Sequence, residues 1–228
     1  MTINSDNKTE KEKKELIQPC RPILISGTQR SGTSMIAGCL FYAGVFMGNW
    51  FLKRDKHNPT GYFEDIEFGE LDENRWKGAI TEEEWEKGVR DLIKSRQQEI
   101  FGFSKWGWKN PSSGLYIKDY QRICNPLIIW CKRGKEDTLE SMNKMHWKED
   151  SALRTYNDKM EFMNQLCPGE YLEVWFEDVI ENPGLEIGRI LGYIGINPPK
   201  SKLKKVFNHI ITKPNLEKLE QESYMNYL

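Results

Sequence analysis

Apolar residues recur along the chain with two periods. Short β-branched or aliphatic runs at 22–27, at Pro126–Cys131 and at Glu170–Phe176 read as buried strands. Between and after them, apolar positions repeat at helical spacing. Helices are predicted over 33–44, 64–77, 135–147, 151–166 and 183–194, with a last one marked by Leu203, Val206, Phe207 and Ile210. Thr81 and Glu84 form a capping box before a further helix. One face of that helix carries Trp85, Val89, Leu92, Ile93, Arg96 and Ile100. In the helix that opens at Pro183, the residues expected to face inward are Leu185, Ile190, Leu191 and Ile194. Strands alternating with helices predict an α/β fold with a mainly parallel central sheet flanked by helices. Ligands bind such a sheet at the edge formed by the loops that follow its strands.

The chain has 228 residues, enough for a single domain, expected over 19–228 behind a disordered tail at 1–18. A formal net charge of -1 argues against nucleic acid as a partner, so any anion site must be local. The five cysteines are scattered and form no C-x-x-C, which suits free thiols in a reducing compartment. The three histidines lack metal-ligand spacing, and no metal is expected. Met1 to Glu15 holds no apolar signal segment, and no run reaches the length of a membrane span. A cytoplasmic location is therefore expected. The loop from Gly48 to Gly61 is rich in turn residues and charge, and it is read as facing a substrate.

The chemistry concentrates after the first strand. Gly27-Thr-Gln-Arg-Ser-Gly-Thr-Ser34 joins strand to helix, so that glycine-freed backbone N–H groups and a helix N-terminus can cradle an anion. Gly27 and Gly32 keep the spacing of a P-loop, and this is a P-loop-like strand–loop–helix. Thr33, however, stands where an ATPase carries its lysine, and the loop's cation is Arg30 instead. A second anion site is read at the next predicted strand end. Arg133 follows that strand and Ser141 lies eight residues on, in the next helix. A guanidinium fork and a short hydroxyl can converge there on one phosphate. Two such sites suit a ligand with two separated phosphates.

Together these segments resemble the sulfotransferases that use 3′-phosphoadenosine 5′-phosphosulfate (PAPS). The resemblance extends to Asn58-Pro-Thr-Gly-Tyr-Phe-Glu-Asp65, to Lys109-Asn-Pro111 and to Phe176-Glu-Asp-Val-Ile-Glu-Asn-Pro183, and so spans roughly 22–196. It implies PAPS as donor and adenosine 3′,5′-bisphosphate (PAP) as product. Gln29, Arg30, Ser31, Gly32, Thr33 and Ser34 would hold the 5′-phosphosulfate, and Arg133 and Ser141 the 3′-phosphate. Phe176 departs from the family's usual tyrosine, and no Arg-Lys-Gly occurs near the C-terminus.

Sulfuryl transfer asks for cations where charge collects and for a base at the acceptor hydroxyl. Arg30 fits the leaving phosphate, and by resemblance Lys109 fits the leaving oxygen or the sulfuryl group. Glu64 is the preferred base, with His57 and then Asp65 as alternatives; Asp65 can instead cap the next helix. The expected acceptor is a hydroxyl of a carbohydrate or of another small or lipid-linked molecule. Two rival readings are a P-loop kinase of a small hydroxylated substrate and a non-catalytic nucleotide- or glycan-binding protein.

Overall fold

The computed structural model describes residues 21–210 except 54, 56, 57, 59 and 165. The tail at 1–18, His57 and the C-terminal segment from 211 lie outside the described residues. Strand β1 (Ile23–Gly27) leads into helix α1 (Thr33–Ala43). Helices α2 (Ile66–Trp76) and α3 (Glu82–Glu99) follow, then the short strand β2 (Gly107–Lys109). A 3-10 turn (Pro111–Tyr116) and α4 (Ile117–Cys124) precede β3 (Leu127–Lys132). Next come α5 (Lys135–Asn143), α6 (Glu149–Met163), β4 (Tyr171–Trp175), α7 (Phe176–Glu181), α8 (Pro183–Ile194) and α9 (Lys200–Ile210).

The sheet is wholly parallel in the order β2-β1-β3-β4. Both of its faces are covered, which is why the strands read as continuous apolar runs. Side chains alternate across it. Ile23, Ile25, Ile129 and Cys131 enter one core with α1, α8 and α9. Leu24, Ile128 and Trp130 enter a second core with Trp85, Trp106, Trp108 and Tyr120.

The structure departs from the sequence expectations in several places. A fourth strand, β2, runs beside β1; its three residues are too few to show a period. Asn110 caps the turn after it, its side chain accepting from the Ser112 N–H at 2.9 Å. The third predicted strand stops at Trp175, and Phe176 starts a helix. On α8, Leu185 is exposed rather than inward; Ile187, Ile190, Leu191 and Ile194 form the buried face.

From β1 the chain moves outward to β2, and from β3 it moves outward to β4. The strand order therefore reverses between β1 and β3, and a crevice opens there beyond the carboxyl ends of the strands. Both predicted anion loops leave from those two strands.

Candidate functional site

The loop between β1 and α1 is built from close approaches. A Cβ at Gly27 would lie 2.3 Å from the Cys131 carbonyl oxygen, so only glycine lets the loop cross the end of β3. Gly32 has φ +90 and would meet the Phe176 ring at 2.8 Å. Arg30 itself has φ 67, an uncommon conformation for a residue with a side chain. Ser31 is buried and spends its hydroxyl inside the loop, donating to the Thr28 carbonyl at 2.7 Å. Ser31 therefore shapes the loop, while Arg30, Gly32, Thr33 and Ser34 line a cavity of about 810 Å³.

Across that cavity stands Arg133. Its guanidinium lies 4.6 Å from the centre of the Phe176 ring, over its face. Its Nε is buried without a hydrogen-bond partner among the described residues. Phe176 thus supports two elements at once, the Arg133 fork and the Gly32 turn, and a ring without a hydroxyl is sufficient for that packing. Ser141, on the second turn of α5, accepts a hydrogen bond from Arg30 Nε at 3.0 Å. The two loops read from the sequence are therefore joined in space, and Ser141 faces the first loop's cation.

Glu64 and Lys109 meet at the cavity wall. The Lys109 ammonium bonds to the Glu64 carboxylate and, at 3.3 Å, to Ser34 Oγ. Lys109 is 2% exposed, and this burial pushes its ammonium down from the ordinary lysine value, against the opposing pull of Glu64. Glu64 is set by its neighbour Phe63, which has φ 52. A bulky residue in this region carries a strain of about 1–3 kcal/mol. The Phe63 ring is held by a surround of Phe41, Tyr42, Phe51 and His209. His209, near the end of α9, occupies the space left by Gly38 of α1, where a Cβ would come within 2.0 Å of its Nε2.

Asp65 is engaged by the fold. It caps α2 by accepting from the Glu67 N–H at 3.1 Å, and it holds buried Arg96 in a two-pronged pair at 2.8 and 3.0 Å. Its duties are structural. His57 lies outside the described residues. Gln29 has its Oε1 buried without a hydrogen-bond partner among the described residues, at the border of the cavity.

Two buried polar residues escaped the sequence reading. Asp72 is fully buried and accepts from Trp85 Nε1, Asn110 Nδ2, Ser113 Oγ and Tyr120 OH, at 3.0, 2.8, 2.5 and 2.8 Å. Burial raises its carboxyl above the ordinary aspartate value. Lys159, on α6, donates to the Pro111 carbonyl, and burial pushes its ammonium down to about 7. Together they fix the backbone just after Lys109. Neither carries a motif, since a lone acid or lysine on a helix reads as solvated. Among the described residues no cluster of His, Cys, Asp and Glu could hold a metal ion, and no helix is long and apolar enough to cross a membrane.

No protein-family model matches this sequence, and no curated protein matches it. Comparison with solved structures gives a clear answer at the level of fold. Sulfotransferase STF9 from Mycobacterium avium superposes with a TM-score of 0.58 at 13% identity, covering 87% of this chain and 70% of that one. The sulfotransferase domain of the Synechococcus PCC 7002 olefin synthase gives 0.55 at 15% identity, covering 89% and 85%. Mouse sulfotransferase SULT7A1, solved in complex with PAP, gives 0.52 at 11% identity, covering 87% and 67%. This chain has the fold of the sulfotransferases.

Proposed function

We propose that the chain transfers a sulfuryl group from PAPS to an acceptor hydroxyl. The observation that carries this reading is the pair of loops at the ends of β1 and β3, linked by the Arg30–Ser141 bond. The residues present fit the donor. Among the described residues Arg133 Nε is a buried donor in want of an acceptor, and Gly27 and Gly32 let the loop pack against Cys131 and Phe176 where any Cβ would clash. The mouse neighbour was solved with PAP, the product such a donor leaves.

When bound, PAPS supplies an activated sulfur whose bond to the 5′-phosphate breaks as a bond to the acceptor oxygen forms. The chain's own residues do the rest. Arg30 and the loop N–H groups stabilise the charge that gathers on the departing phosphate oxygens. Arg133 binds the 3′-phosphate and so fixes the register of the nucleotide. Ser141 keeps Arg30 aimed. Lys109 stands between Ser34 on the donor side and Glu64 on the acceptor side, where its charge can follow the sulfuryl oxygens. Glu64 takes the acceptor's proton, and the contact with Lys109 orients it.

The test is thermal stability with PAP beside ATP plus magnesium, followed by transfer of labelled sulfate from PAPS. A rise of several degrees with PAP and no metal is expected. A rise with ATP and magnesium alone would overturn the reading in favour of a kinase. No rise with either would overturn it in favour of a non-catalytic protein.

A further inference from the structure

A second cavity, of about 550 Å³, lies between α2 and α6. This is within the range of about 300–1,000 Å³ that holds a small ligand. It opens into the phosphate cavity across Gln29, Glu64 and Asn110, which line both. Glu64 therefore stands at the boundary, reachable from the donor side and from this side.

The wall chemistry is one-sided. Glu70 from α2 and Asp158 from α6 face the cavity, and neither has a hydrogen bond or ion pair within the described structure. Lys159 is the only cation lining it among the described residues, and its ammonium is turned to the Pro111 carbonyl. Trp76 is 66% exposed at the same wall, and Trp147 stands at the junction of the two cavities. Exposed indole faces stack on the C–H faces of sugar rings and on cations. Unpaired carboxylates in a partly enclosed space attract an ammonium and repel a carboxylate or sulfate.

We infer that this cavity takes the acceptor, and that the acceptor is a polyhydroxylated molecule bearing at least one amino group, of the amino-sugar class. The inference rests on the sulfuryl-transfer reading above. The ammonium sits against Glu70 and Asp158, a ring packs on tryptophan, and a hydroxyl is left facing Glu64.

Titration calorimetry with saturating PAP tests it, at about pH 6 so that sugar amines are protonated. The probes are the β-1,4-linked glucosamine disaccharide and cellobiose, which share a ring frame and differ in charge. The amino disaccharide is expected to bind at least about fivefold tighter at low salt, with the advantage shrinking as salt rises. The double variant Glu70→Gln, Asp158→Asn should erase that preference and leave PAP affinity unchanged. Equal binding of the two sugars, binding of neither, or a preference that survives in the double variant would overturn the inference. If PAP binds but the preference is absent, this inference falls alone. If the preference is present but PAP does not bind, the transfer reading falls, and the acceptor role of the cavity falls with it.

Discussion

Arg30 Nε donates to Ser141 Oγ at 3.0 Å, across 111 positions of sequence. The bond ties the loop after β1 to the helix after β3 and makes one site of two motifs. A cation that already has a partner is held in one geometry, so less conformational freedom is lost when an anion arrives.

Arg133 is the clearest place to test the nucleotide. Arg133→Ala should weaken PAP binding by about tenfold or more, the scale of a lost charge-assisted contact. Among the described residues its Nε has no hydrogen-bond partner, so the variant's unliganded Tm should change little beyond the lost contact with the Phe176 ring. Affinity for AMP, which lacks the 3′-phosphate, should be nearly unaltered. Equal losses for PAP and AMP would remove the 3′-phosphate assignment.

Glu64→Gln separates chemistry from binding. Turnover should drop by about 100-fold or more while PAP affinity stays within about threefold. The measurement is kcat beside calorimetric PAP affinity. Unchanged turnover would take Glu64 out of the base role.

Asp72 should prove costly to neutralise although it touches no proposed ligand. Its carboxylate is fully buried and accepts from four donors. Asp72→Asn would turn a donor toward one of those donors. A loss of about 2–4 kcal/mol in urea unfolding is expected, against little change for Glu70→Gln on the same helix.

Lys159 gives the chain a pH dependence of definite sign. Burial holds its ammonium at about 7, against 10.5 when exposed. Between those values the unfolded chain binds more protons than the folded one, so stability rises with pH across the window. The slope is at most about 1.4 kcal/mol per pH unit. Below about pH 7 both states are protonated and the contribution is flat. Lys159→Met should remove this slope, read as the difference between the two urea-stability profiles at several pH values.

Much of this architecture is legible in the sequence because the strands are buried on both faces and the helices are amphipathic. Ile23–Gly27 and Leu127–Lys132 announce themselves as apolar runs, and Thr81 with Glu84 marks a helix start that the structure keeps, bond for bond. Gly107–Lys109 does not, since three residues cannot display a period. Leu185 shows the limit of helical spacing, because at the first turn of α8 the face can be left uncovered. For the site, the sequence supplies the two loops but not what supports them. Asp72, Lys159 and the Asp65–Arg96 pair are polar residues whose partners lie 13 to 48 positions away. Burial of that kind follows from tertiary packing and leaves no local signature.

The imidazole seated on Gly38 has a consequence for how this chain can vary. A methyl group at 38 and the ring at 209 compete for the same few cubic ångströms. Gly38→Ala alone pries the last described helix away from the helix that presents the phosphate loop, and His209→Ala alone leaves a void between them. A change at either position therefore calls for a compensating change at the other, so 38 and 209 act as one packing unit written in two places.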